Sequence, residues 1–324
     1  MIDRPRRLRS NEIIRNLVSE TKPDSSKLIM PYFVTEGTDV REGFDSMPGI
    51  DRVSIDNLIK DLKSDINCGI RSILLFGIPD TKDDVGSGAY ADNGIIQKAL
   101  RKIKKEFKDD ILIITDVCLC EYTDHGHCGI IEHGRILNDP TVELLGRTAL
   151  SHAEAGADIV APSDMMDGRV SAIRSVLEDK GFYNTAIMAY SAKFCSSFYG
   201  PFRNVAGSAP SFGDRKSYQM DFRNGREAER EIISDIDEGA DIIMIKPALS
   251  YGDIIYRAKE ISPVPICVYN VSGEYSMVKS ASAKGFIDEK RIVTEIMTSF
   301  FRAGSDMIIS YHTRDILKEK WFLI

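Results

Sequence analysis

The sequence predicts a TIM-type (β/α)₈ barrel carrying an extended N-terminal arm. Eight short apolar runs recur along its 324 residues, amphipathic stripes lie between them, and glycine marks the joints. The runs are LIMPYFV (28–34), SILLFG (72–77), ILIITDV (111–117), DIVAPS (158–163), TAIMAYS (185–191), DIIMIK (241–246), PICVYN (265–270) and DMIIS (306–310). They are nearly continuous rather than alternating, as strands covered on both faces must be. Between them Ile55, Leu58, Ile59, Leu62 and Ile66 form one helical stripe, and Ile96, Ala99, Leu100 and Ile103 a second. Ile292, Val293, Ile296, Met297, Phe300 and Phe301 form a third. EAGAD (154–158), DEGAD (237–241) and RAGSD (302–306) each set a glycine where a helix ends and a strand follows, and Gly69 and Gly181 fall similarly. Strand, helix, glycine, strand, repeated about eight times, is the grammar of a closed barrel. An open doubly wound sheet is the competing arrangement, but no GxGxxG follows the first run.

Bulk properties narrow the function. A formal charge of −7 disfavours nucleic acid as the main partner. No run of eighteen apolar residues and no apolar leader is present, so neither membrane insertion nor secretion is expected, and the cytoplasm is the default compartment. Six cysteines do not make a disulfide framework in a chain this long. Three of them, Cys118, Cys120 and Cys128, crowd into eleven residues, which suits a metal site better.

Two segments stand outside the repeat. Residues 1–27 carry five arginines with little apolar content, and read as a disordered tail or as an arm docking on another subunit. Residues 28–324 then form the catalytic barrel. Within it, residues 198–225 are rich in Gly, Ser, aromatics and Arg without helical or strand period, as expected of a lid.

Active sites of such barrels lie at the C-terminal ends of the strands. That rule selects Cys118 and Cys120 after the third run, Ser163 and Asp164 at the fourth, and Lys193 about two residues beyond the fifth. It also selects Lys246 at the end of the sixth, Ser272 after the seventh and Tyr311 after the eighth. A lysine closing an apolar run is costly to bury as a cation, and a lowered pKa is what an amine needs to attack a carbonyl. Two neighbouring lysines disfavour each other's protonation, so one should be a free amine near neutrality. Cys118 and Cys120 project to one side of an extended backbone, and Cys128 can fold back through the polar turn. Three thiolates with one open position is the catalytic pattern for zinc. His125 and His127 compete as ligands. Arg203, Arg215, Lys216 and Gln219 on the lid suit a carboxylate.

These stretches resemble the porphobilinogen synthase (δ-aminolevulinic acid dehydratase) family. The matching segments are RPRRLR (4–9), DVCLCEYTDHGHCG (116–129), APSDMMDGR (161–169), AYSAKFCSSFYGPFR (189–203), MIKPALSY (244–251) and YNVSGEY (269–275). The resemblance implies a hydro-lyase of tetrapyrrole (heme) biosynthesis that condenses two 5-aminolevulinate molecules into porphobilinogen. It implies imines on Lys193 and Lys246, zinc on Cys118, Cys120 and Cys128, and one substrate carboxylate held by Arg203, Arg215 and Gln219. Ser272 and Tyr311 would hold the second carboxylate, Asp116, Ser163 and Asp164 would lie near the proton transfers, and Glu231 would bind an allosteric magnesium. A homo-octamer with embracing arms is implied as well. Another barrel Schiff-base aldolase, a metal-dependent barrel hydrolase and a zinc-binding regulatory protein are the alternatives.

Overall fold

The computed structural model describes residues 3–322. Eight parallel strands, β1 (Leu28–Thr35), β2 (Ser72–Ile78), β3 (Leu112–Val117), β4 (Ile159–Pro162), β5 (Ala186–Lys193), β6 (Ile242–Lys246), β7 (Ile266–Asn270) and β8 (Met307–Ser310), follow one another around a sheet. Leu28 pairs with Ile308 and Ile29 with Ile309, so β8 closes on β1. That closure excludes the open-sheet alternative. Above Ile29 the same edge of β1 takes an extra short strand, Asp51–Ser54, in place of β8.

Helices follow the strands and supply the outer layer. In Ile55–Asn67, Leu58, Ile59 and Leu62 turn inward, and in Ile95–Phe107, Ile96, Ala99, Leu100 and Ile103 do the same. The stripes read from the sequence are therefore the faces that cover the strands, each fully buried Leu or Ile contributing roughly 2–3 kcal/mol. The five joint glycines all have positive φ; at Gly156 it is 106° and at Gly304 it is 121°, a conformation that side-chain-bearing residues rarely adopt.

Two expectations need correction. Residues 198–225 are not wholly irregular: Gly200–Ala206 is a helix, started by Pro201 and stopped by Gly207 in the left-handed region. Seven residues are too few to show an apolar stripe. Nor is the N-terminal segment without structure. Pro5–Arg9 and Glu12–Leu17 form short helices, the second capped by Asn11, whose side chain accepts from the Ile14 N–H at 3.0 Å. Leu8, Ile13 and Leu17 on them are 56%, 80% and 81% exposed. Among the described residues no helix is long and apolar enough to cross a membrane.

Candidate active site

The C-terminal mouth of the barrel gathers most of the candidates. Lys193 is the last residue of β5, not two residues beyond it, and it pairs in register with Lys246, the last residue of β6. A bulge brings them opposite each other. Ala189 pairs with Ile243 and Ala192 with Ile245, so Tyr190 and Ser191 together oppose Met244. Without that extra residue Ala192 would face Lys246, and Lys193 would point to the other side of the sheet.

Both amines are buried, at 4% and 6% exposure. Lys246 Nζ stands 4.3 Å from the centroid of Tyr269 and 5.1–5.3 Å from those of Tyr190, Tyr199 and Phe202. Burial, and then the charge of Lys193, lowers its pKa to about 7. Lys193 donates to the Ser163 carbonyl. Burial pushes Lys193 down too, but the negative charge of the cysteine cluster, that of Cys128 foremost, outweighs it and holds the amine above its ordinary pKa. Of the two amines, Lys246 is the one whose pKa is drawn down toward neutrality.

Cys118, Cys120 and Cys128 are buried, with their sulfurs within 4.8 Å of one another. Cys118 and Cys120 do not lie on extended backbone as expected. The chain turns immediately after Val117, the Tyr122 N–H donating to the Leu119 carbonyl at 2.9 Å, yet the first two sulfurs still approach to 3.4 Å. Hydrogen bonds from Cys118 and Cys120 pull the Cys128 thiol well down, while burial pushes Cys118 up. A buried anion shared among three sulfurs is a donor set that fits a thiophilic cation. The ring nitrogens of the two histidines are engaged elsewhere, those of His127 by the 198–225 segment. His127 bonds the Tyr218 hydroxyl at 3.1 Å and the Phe212 carbonyl at 3.0 Å, and His125 lies 3.3 Å from the Asp84 carbonyl.

Residues of the 198–225 segment cover this floor. Phe202 packs on Phe33 and Phe76 with centroids 5.5 and 5.1 Å apart, and Arg215 donates to the carbonyls of Gly126 and Ser208 at 2.9 and 2.6 Å. A cavity of about 20 Å³ remains, lined by Asp116, Ser163, Lys193, Lys246, Arg203 and Arg215 among others. That is room for little more than one water. The Nε atoms of Arg203 and Arg215 and both amide atoms of Gln219 have no hydrogen-bond partner. Buried donors without acceptors are costly and suit an incoming carboxylate. Ser272 opens the helix Ser272–Ala283, accepts from the Phe202 N–H at 3.0 Å and donates to the Phe198 carbonyl at 3.2 Å. The Tyr311 hydroxyl lies 3.0 Å from that of Tyr269, the ring that stands closest to Lys246 Nζ.

Asp116 accepts from Ser163 at 3.2 Å, and burial followed by the Glu121 charge raises it to about 7. Burial raises Asp164 to about 6. Glu121, 3% exposed with its carboxylate 3.2 Å from Cys120 Sγ, was not selected from sequence. Its only signal is an acid directly after the C-x-C pair. Glu231 lies apart on the helix Gly225–Asp237, half-buried, and among the described residues it joins no trio able to share an ion. A third trio, Glu289, His312 and Asp315, already has its cation: Lys279 Nζ reaches the two carboxylates at 2.6 and 2.7 Å.

A closed parallel barrel with two register-matched buried amines and a cluster of three thiols able to share a metal ion at its C-terminal mouth has the architecture of a barrel enzyme. Residues 2–319 match the family model described as delta-aminolevulinic acid dehydratase. The chain is 54% identical over 316 residues to the delta-aminolevulinic acid dehydratase of Synechococcus elongatus, covering 96% of this chain and 97% of that one. It is 52% identical to that of Bacillus subtilis, covering 98% and 97%. A crystal structure of delta-aminolevulinic acid dehydratase (porphobilinogen synthase) from Toxoplasma gondii, in complex with the reaction product porphobilinogen, superposes with a TM-score of 0.96 at 43% identity, covering 98% of this chain and 92% of that one. The chain belongs to the delta-aminolevulinic acid dehydratase family, and is a lyase.

Proposed function

We infer that this protein condenses two molecules of 5-aminolevulinate into porphobilinogen with loss of two waters, in tetrapyrrole biosynthesis. The observation that carries this reading is the register pairing of Lys193 with Lys246 at the barrel mouth. An aldolase needs one imine-forming lysine; two opposed amines suit two ketones held side by side. Lys246 attacks the keto carbon of the propionyl-side substrate and Lys193 that of the acetyl-side substrate, each releasing water as its imine forms. A protonated imine on Lys246 would be a cation among four aromatic rings, a stabilisation that the free amine does not receive. The two linkages turn a bimolecular encounter into one fixed geometry.

Arg203, Arg215 and Gln219 grip the carboxylate of the substrate on Lys193, and Ser272 and Tyr311 that of the substrate on Lys246. Asp116, with a folded pKa near neutrality, takes and returns protons beside both amines, and Ser163 and Asp164 hold it and its surroundings in place. Lid closure keeps bulk water from the imines. Zinc held by Cys118, Cys120 and Cys128 would offset the negative charge that holds Lys193 above its ordinary pKa and offer a substrate oxygen or nitrogen a Lewis acid.

Magnesium at Glu231, a cytoplasmic location and a homo-octamer complete the reading. The exposed Leu8, Ile13 and Leu17 of the arm support subunit docking. Incubating the purified chain with 5-aminolevulinate and zinc, then assaying for the pyrrole, tests the activity. No pyrrole with or without added zinc or magnesium would overturn it.

A further inference from the structure

One buried cation plays no part in the chemistry above. Arg169 opens the helix Arg169–Asp179 at 2% exposure, with its guanidinium spread over several acceptors. It donates bidentately to Asp235, Nη1 to Oδ1 at 3.0 Å and Nη2 to Oδ2 at 2.8 Å. Nη1 also reaches the Met166 carbonyl at 3.2 Å, and Nη2 the Tyr190 carbonyl at 3.3 Å. Asp164 lies 3.9 Å from Nε.

Two of these contacts fall on the structure that aims Lys193. Tyr190 belongs to the bulge that sets Lys193 opposite Lys246. Met166 and Asp164 form the turn directly after Ser163, where the Met166 N–H donates to Asp164 Oδ1 at 2.7 Å, and the Ser163 carbonyl receives Lys193 Nζ. Stability alone is a weak reason to bury this ion pair, because well-packed apolar residues of similar volume are often as stable or more so. The planar fork does what they cannot: it ties one strand bulge and one turn together through their backbone carbonyls.

We propose that Arg169 is a positioning residue, its fork locking the Tyr190 bulge and the 163–166 turn so that Lys193 meets Lys246 across the substrate site. Asp235 supplies the counter-charge that holds the fork. This rests on the assignment of both lysines as imine-forming.

The test is the double variant R169M/D235L, which replaces the pair by apolar residues and leaves only Asp164, a carboxyl that burial already raises to about 6, without the cation beside it. Both proteins are incubated with 5-aminolevulinate, reduced with borohydride and peptide-mapped. The variant is expected to melt near the wild-type temperature, yet to label Lys193 less than Lys246 by on the order of 10- to 100-fold, with kcat falling in parallel. R169K keeps the charge but not the fork and should lie between; where the double variant does not fold, R169K decides by the same ratio. Wild-type turnover with the wild-type labelling ratio would overturn the proposal, as would equal losses at both lysines that track the folded fraction. A wild-type enzyme labelling neither lysine would overturn the imine assignment itself, and this positioning role with it.

Discussion

Replacing Lys246 by methionine tests the burial that makes it reactive, without any substrate present. Its fall from 10.5 to about 7 corresponds to about 5 kcal/mol of differential interaction between its two protonation states. The unfolded chain holds this proton up to about pH 10.4, whereas the folded chain releases it near neutrality. Between those limits the unfolded state binds more protons, so stability rises with pH. The slope cannot exceed about 1.4 kcal/mol per pH unit, giving about 2–3 kcal/mol between about pH 7.5 and 9.5. Asp116 and Glu274, raised to about 7, and Asp164, raised to about 6, act in a lower window. Their contribution is full at acid pH and is lost as pH climbs from about 4 to 7. Other groups also titrate in the alkaline window, Lys82 lowered by burial and the buried thiol of Cys267 raised by it, but groups common to both proteins cancel in the difference. K246M should be at least as stable as wild type at neutral pH and lack the alkaline rise. In thermal unfolding the two midpoints should converge by roughly 5 °C over that range. Parallel curves would contradict a buried, neutral Lys246.

Other perturbations separate the parts of the site. Serine at Cys118, Cys120 or Cys128 removes one of three sulfurs, and each variant should lose zinc on dialysis, measured by metal analysis, and lose pyrrole formation with it. Alanine at Arg203 or Arg215 should cost about 1.5–3 kcal/mol in kcat/KM for 5-aminolevulinate, roughly 10- to 150-fold, read from steady-state kinetics. A Cβ at Gly273 would stand 2.5 Å from the Phe198 carbonyl oxygen and 2.8 Å from its Cα, both backbone contacts. G273A should therefore push the lid base off Ser272 and raise KM several-fold, with unfolding cooperativity retained.

Much of this was legible in the sequence. A strand buried on both faces must read as a continuous apolar run, and a helix ending before a strand needs a left-handed residue, so eight strands and five joint glycines announced themselves. The strand-end rule then located Lys193 and Lys246 before any contact was known. It did not reveal the Tyr190–Ser191 bulge, because register is a relation between two strands and no residue there is unusual alone. The helix Gly200–Ala206 was hidden by its brevity. His127 stood in the sequence as a competing ligand; only the fold shows its two nitrogens engaged by Tyr218 and Phe212. Glu121 and Arg169 carry no periodic signal, since what marks them is burial among charges brought from distant segments.

The most direct test of the account is to reduce the working enzyme with borohydride in the presence of 5-aminolevulinate and map the modified peptides. Secondary amines should be found on both Lys193 and Lys246, and neither K193M nor K246M should make the pyrrole at a measurable rate. A single modified lysine, with full turnover in a protein lacking the other, would contradict the two-imine account.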